Sequence, residues 1–222
     1  MIPVFYQTHL ESQLGRSQYL ILSILLNLLQ SIKQVNLEAL ATAFPLPIQF
    51  NSRRRKIQRF LSLPQLNVET LWFPIIINWL TENFSVNQVI YIAIDRTSWG
   101  CTNLLMISLI WDKRAIPIYF ELLPKLGSSN LEEQKTALCK VIPLFKNYKT
   151  VVLGDREFCS VTLANWLRSE NVYFCLRLKK DEFVQVEGKI WVQLNDLGLA
   201  PGVALYLQGV KVTKKKKLLV LM

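Results

Sequence analysis

The chain has 222 residues, 51% of them hydrophobic, and a formal net charge of +10. That is enough apolar chain for one good-sized domain, or a core with a small accessory domain, and it excludes overall disorder. The positive excess favours a polyanionic partner (DNA, RNA or an anionic membrane surface), although a solvated basic surface carries the same charge.

Four widely spaced cysteines, Cys101, Cys139, Cys159 and Cys175, form no C-x-x-C pair, and His9 is the only histidine. A zinc site or a Cys–His nucleophile therefore has little support. Free, mostly buried thiols in a reducing compartment are expected. No secretory signal pattern follows Met1. Residues 19–29 are apolar but short, and Ser23 and Asn27 interrupt them. Residues 71–80 are also short and carry Pro74. Both are expected as buried helices rather than membrane spans. The expected location is cytoplasmic, with no membrane partner.

Residues 1–86 are expected to be an all-helical domain. Residues 14–32 are apolar nearly all round and predict a core helix. Asn36 suits the N-cap of a helix over 37–44, which Pro45 and Pro47 end. Asn51 or Ser52 suits the cap of the next helix, on which Ile57, Phe60 and Leu61 share a face. Arg53, Arg54, Arg55, Lys56 and Arg59 crowd its start and other faces. Cations at a helix N-terminus oppose the macrodipole, so five within seven positions point to phosphates as compensation. A short helix, a proline-containing turn and a basic helix suggest a helix-turn-helix-like DNA-binding unit. A charged, solvated face is the plainer alternative. A fourth helix is expected over 68–84.

The texture changes at Val89. Strands are expected over 89–95, 103–111 and 115–122, joined by a turn at Asp112-Lys113-Arg114, as an antiparallel meander. Ser129 or Asn130 caps a helix to about Tyr148, with Glu132 and Glu133 in its first turn. Residues 149–154 are a fourth strand, Ser160 caps a helix to about Glu170, and 172–178 are a fifth strand. Beyond 180 the pattern becomes short strands at 183–186, 189–194 and 203–213, with turns at Glu187-Gly188 and Pro201-Gly202. Lys214 to Lys217 could bind backbone phosphate or form a solvated hairpin turn. They lead into an apolar run over 218–222.

Two of these strands are expected to end in an aspartate: V-I-Y-I-A-I in Asp95, and V-V-L-G in Asp155. Open α/β sheets bind ligands at the carboxyl edge of their strands. The order β-β-β-α-β-α-β is that of the ribonuclease-H-like fold, whose first and fourth strands lie side by side. Asp95 and Asp155 would then meet, as two-metal chemistry requires. An Asp after a strand can also simply cap a helix or close a turn.

Four blocks carry a resemblance: I-D-R-T-S-W-G (residues 94–100), R-A-I-P-I-Y-F-E-L-L (114–123), G-S-S-N-L-E-E-Q (127–134) and L-G-D-R-E-F (153–158). Together they resemble a DDE transposase of the insertion-sequence-four type. The resemblance implies a ribonuclease-H-like core over 87–182, preceded by the helical domain and followed by the start of a β-rich insertion over 183–222. It implies Mg²⁺ (or Mn²⁺) as cofactor, held by Asp95 and Asp155 as the first two catalytic acids. It implies double-stranded DNA as partner, at the inverted repeats of the element, and allows a homodimer in the transposition complex. A nucleoid-associated place in the cytoplasm follows.

The sequence departs from that family at the third acid. No Tyr-x₂-Arg-x₃-Glu-x₆-Lys signature occurs between residues 155 and 222. The chain is therefore expected to be the N-terminal part of a transposase, with the metal held loosely by two carboxylates and little activity alone. A DNA-binding product that interferes with full-length transposase is the alternative, and a ribonuclease-H-like nuclease with another substrate is a third reading. Glu157 is expected as a support for the site or as a partner of Arg156, and Glu170, Asp181 and Glu182 as surface acids. Arg96 and Arg156 either touch phosphates or pair with acids. Trp99 is expected to pack rather than stack on a base.

Overall fold

The computed structural model describes residues 4–185, 189–198, 210–212 and 218–220. The turns expected at Glu187-Gly188 and Pro201-Gly202, the lysines 214–217 and most of the strand expected over 203–213 lie outside the described residues. The chain divides into two compact units, Met1–Asn83 and Phe84–Met222.

The first unit is helical. Helix α1 (Val4–Ile32) begins ten residues before the expected start and is broken at Gly15, where φ is 67° and ψ is 161°. It is not buried all round: Leu10, Leu14, Ile21 and Leu25 are buried, while Leu20 and Leu26 are exposed. Among the described residues no single helix is long and apolar enough to cross a membrane. Helix α2 (Leu37–Ala43) is capped by Asn36, whose side chain accepts from the Glu38 and Ala39 amides. Helix α3 (Phe50–Leu61) starts earlier than expected. Its N-cap is Gln49, and neither Asn51 nor Ser52 caps it. Ile57 and Phe60 of α3 pack with Leu40, Ala41 and Phe44 and with Ile21 and Leu25 of α1. The helix expected over 68–84 is instead a π-helical turn (Val68–Trp72) followed by α4 (Phe73–Asn83). Pro74 has no N–H and crowds the turn before it, which breaks the regular ladder there.

The second unit is mixed α/β. Strands β1 (Val89–Trp99), β2 (Thr102–Trp111) and β3 (Arg114–Leu123) form the expected meander. Its second turn is the two residues Asp112 and Lys113, both at positive φ, a geometry that suits the strand twist. Asp95 does not end its strand. β1 runs on to Trp99 because residues 95–99 pair with 102–106 of β2 across a turn at Gly100 and Cys101.

Helix α5 (Leu131–Val141) has a full capping box, with Asn130 and Glu133 each accepting the other's amide. It stops well short of Tyr148. Pro143 removes a helical donor, and the chain tightens into a 3₁₀ turn over Ile142–Phe145. Strand β4 (Lys149–Gly154) lies parallel to β1, and after α6 (Val161–Ser169) strand β5 (Tyr173–Leu176) lies parallel to β4. The resulting five-stranded mixed sheet has the order β3-β2-β1-β4-β5. Ile90, Ile92 and Ile94 of β1 and Leu105, Ile107 and Leu109 of β2 are buried, and α5 packs on β2 and β3. The alternate residues Val89, Tyr91 and Asp95 are exposed, so β1 alternates with the period of two that a strand requires.

A small antiparallel sheet follows, of order β7-β6-β8-β9, from β6 (Phe183–Gln185), β7 (Val192–Gln193), β8 (Val210–Val212) and β9 (Leu218–Val220). The strand expected over 189–194 is only two residues long, and a 3₁₀ turn (Leu194–Leu197) follows it. Leu194 and Leu197 pack there against buried Val184, Val210 and Val212.

The thiols are free, as expected, but they are not mostly buried. Cys101, Cys139 and Cys175 are exposed, and Cys159 is half-buried. Cys101 lies in the turn between β1 and β2, and Cys139 adjoins the inward-facing Ala137 and Leu138 without sharing their burial.

Candidate active site

The parallel ladder between β1 and β4 ends at the pair Ile94 and Gly154. The next residue on each chain is an aspartate. Asp95 and Asp155 thus occupy neighbouring positions at the carboxyl edge of adjacent parallel strands, and both are exposed. Each carboxylate is oriented by a nearby amide. Asp95 Oδ1 accepts from the Arg96 N–H at 2.8 Å, and Asp155 Oδ1 accepts from the Glu157 N–H at 2.9 Å. Neither forms an ion pair among the described residues, so each keeps oxygen lone pairs for a ligand.

Gly154 sets up this edge. A Cβ there would lie 2.9 Å from Leu176 Cδ2 and 2.9 Å from Phe158 Cβ. The Gly154 carbonyl meanwhile accepts from the Arg177 amide at 2.9 Å. The turn after Asp155 therefore folds tightly back over the strand end, which only a residue without a side chain permits.

Beneath the two aspartates lies a polar network. Arg96 Nε donates to both oxygens of Glu157, at 2.9 and 2.7 Å. Glu157 Oε1 also accepts from the amide and the hydroxyl of Ser129, each at 2.8 Å. Arg96 Nη1 donates to Asn103 Oδ1 at 3.1 Å, and Asn103 Nδ2 donates to the carbonyls of Lys125 and Gly127 at 2.7 and 2.8 Å. Gln134 Nε2 donates to the Ser129 hydroxyl at 3.1 Å. Burial opposes charge on Glu157, but the Ser129 amide, Arg96 and the Ser129 hydroxyl together outweigh it and hold its carboxyl below the usual value.

The partner of Glu157 is thus Arg96, not the expected Arg156. Arg96 sits on β1 with Ile94 on the sheet side that meets α5, and the hydrogen-bonded segment 155–158 brings Glu157 to that side. Arg156 is exposed beside Asp155. Asn103, Ser129 and Gln134 were not anticipated as part of this arrangement. One signal was present: Asn103 shares the inward alternation of Leu105, Ile107 and Leu109, where an unpaired polar group is costly.

Among the described residues, no group of three acid, histidine or cysteine side chains is arranged to hold a metal ion. Asp95 and Asp155 alone supply hard oxygen donors of the kind Mg²⁺ or Mn²⁺ takes, as part of a ligand set. Trp99 is exposed at the end of β1 and does not pack as expected.

The basic cluster of the first unit separates into two parts. Arg53 Nη1 donates to the Phe44 carbonyl at 3.2 Å, and Arg54 Nε meets Glu38 at 3.0 Å. Arg55, Lys56 and Arg59 are exposed, with no ion pair among the described residues.

No protein-family model matches the chain, and no curated protein matches it significantly.

Proposed function

We propose that the chain is a DNA-acting protein of the DDE transposase kind, and that its mixed sheet is a ribonuclease-H-like core. The adjacency of Asp95 and Asp155 one step beyond the Ile94–Gly154 pair carries this reading. The strand order β3-β2-β1-β4-β5 supports it. So do the four sequence blocks that resemble the insertion-sequence-four type, two of which contain these aspartates.

In this reading Asp95 and Asp155 hold Mg²⁺ or Mn²⁺, and Glu157 does not. A bound ion supplies Lewis-acid stabilisation of the charge that develops on a phosphodiester. The chain's own residues do the positioning. The amides of Arg96 and Glu157 orient the two carboxylates, and the Arg96–Glu157–Ser129 network ties β1, the segment after β4 and the start of α5 together. Arg156, exposed next to Asp155, is placed to meet a backbone phosphate. The basic residues of α3 give the first unit its own affinity for duplex DNA, at the inverted repeats of a mobile element, and a homodimer fits such a complex. A cytoplasmic, nucleoid-associated place goes with that substrate.

Two carboxylates hold a divalent cation weakly, because water and substrate must supply the remaining ligands. Glu157 is committed to Arg96 and Ser129 and is not free to serve as a third acid. The second reading follows from this: a DNA-binding protein, inactive in cutting, that occupies element ends and interferes with a complete transposase.

Both are tested with the purified chain on linear duplex DNA, with Mg²⁺ or Mn²⁺ and without. The first reading predicts duplex binding that the cation strengthens in the native chain but not in Asp95→Asn or Asp155→Asn, with little cutting. Duplex binding that neither the cation nor the two substitutions affect selects the second. Strong cutting that survives both substitutions contradicts both.

A further inference from the structure

The five basic residues of α3 do not play one part. Arg53 donates to the Phe44 carbonyl, and Arg54 is paired at the surface with Glu38. Arg55, Lys56 and Arg59 instead line a single concavity of about 480 Å³ between α1 and α3. Gln18 of α1 and Ser52 of α3 add neutral hydrogen-bonding groups to its wall, and the buried side chains of Ile21 and Phe60 form its floor. Among the described residues, no acidic one lines it. Three cations that share one hollow repel each other, and an apolar floor screens them less than open water does.

We infer that this hollow is a phosphate-binding site whose occupant is a backbone phosphodiester of duplex DNA. The inference rests on the DNA-binding reading above and narrows it. Arg55, Lys56 and Arg59 converge on one phosphate, with Ser52 and Gln18 as neutral partners. They therefore fix position on the duplex without reading sequence, since phosphate contacts carry no base information. Helix α3 then grips the backbone and is not a base-reading helix.

The test is fluorescence anisotropy of the full chain with two unrelated duplexes of equal length over a salt series. The triple variant R55Q/K56Q/R59Q is compared with the native chain, with circular dichroism as the check that it is folded. Losing one phosphate contact lowers the slope of log affinity against log salt by about 0.9. That fall, with both duplexes weakened by the same factor, is the expected result, and Ser52→Ala should weaken binding with no change of slope. A fall of about 2.7, three times the single-contact value, means three separate phosphates and overturns the shared site. A much larger loss on one duplex means base reading and overturns it too. An unchanged slope removes the site but leaves DNA binding standing. Absence of duplex binding by the native chain removes both.

Discussion

Arg96 and Glu157 meet across the junction of β1 and β4, with Arg96 Nε 2.7 Å from Glu157 Oε2 and both side chains largely buried. Each residue is the near neighbour of a candidate ligand: Arg96 follows Asp95 directly, and Glu157 comes two positions after Asp155. The pair ties the two aspartate-bearing segments together. Removing one partner of a buried pair strands the other charge, and that costs more than replacing both by apolar groups. Arg96→Met is therefore expected to destabilise the protein by about 3 kcal/mol, and R96M/E157L by clearly less. Urea unfolding of the native chain, R96M, E157L and the double variant checks this. A double variant as unstable as the sum of the two single variants contradicts it.

The pH dependence follows from the same contact. Glu157 sits below its ordinary value of 4.5: burial pushes it up, but the Ser129 amide, Arg96 and the Ser129 hydroxyl win. The unfolded chain therefore takes up this proton at a higher pH than the folded one. The stabilisation is complete above about 4.5 and is lost as pH falls through the lower folded value. Glu157→Gln should be less stable at neutral pH and should lose less on acidification. Glu133 is also held low, its burial outweighed by the Asn130 amide and by Lys125, so part of the acid sensitivity remains in that variant. Thermal melts between pH 3 and 7 read the two slopes, and parallel curves would count against the contact.

Gly154→Ala probes the edge itself. The added methyl would meet Phe158 Cβ and Leu176 Cδ2, each at 2.9 Å. Leu176 can rotate away, but Phe158 Cβ is fixed to the backbone, so the turn that holds Asp155 must shift. A loss of about 2 kcal/mol is expected, in the range for overpacked sites. An unchanged melting temperature would show that the turn yields without cost.

The thiols give a direct check of burial. Exposed Cys101, Cys139 and Cys175 should react with a disulfide reagent in a fast phase near pH 8. Cys159 should lag, because burial and then the negative charge of Glu182 raise its pKa. Three fast equivalents and one slow one are expected. A single slow phase of four contradicts the exposures.

The sheet was legible because its signals are local. Apolar runs with period two, Pro and Gly breaks, and the caps Asn36, Asn130 and Ser160 mark most of its elements and those of the helical unit. What failed was set by partners distant in sequence. Nothing in I-D-R-T-S-W shows that β1 continues past Asp95, because that depends on pairing with residues 102–106. The helix expected to reach Tyr148 stops early because the apolar residues around Pro143 continue the pattern while the proline ends the ladder. The adjacency of Asp95 and Asp155 could be expected from element order, and Glu157 as a support beside them, but its partners could not. Its partners Arg96 and Ser129 lie 61 and 28 positions away. The split of the α3 cluster was equally hidden, since it depends on where Glu38 and the Phe44 carbonyl stand.

The joint use of Asp95 and Asp155 is tested most directly by Mn²⁺ binding followed by electron paramagnetic resonance, comparing the native chain with Asp95→Asn and Asp155→Asn. One weak site, lost to a similar extent in either variant while both stay folded, is the predicted result. Binding that both variants retain at native strength, or that only one of them loses, contradicts a shared site.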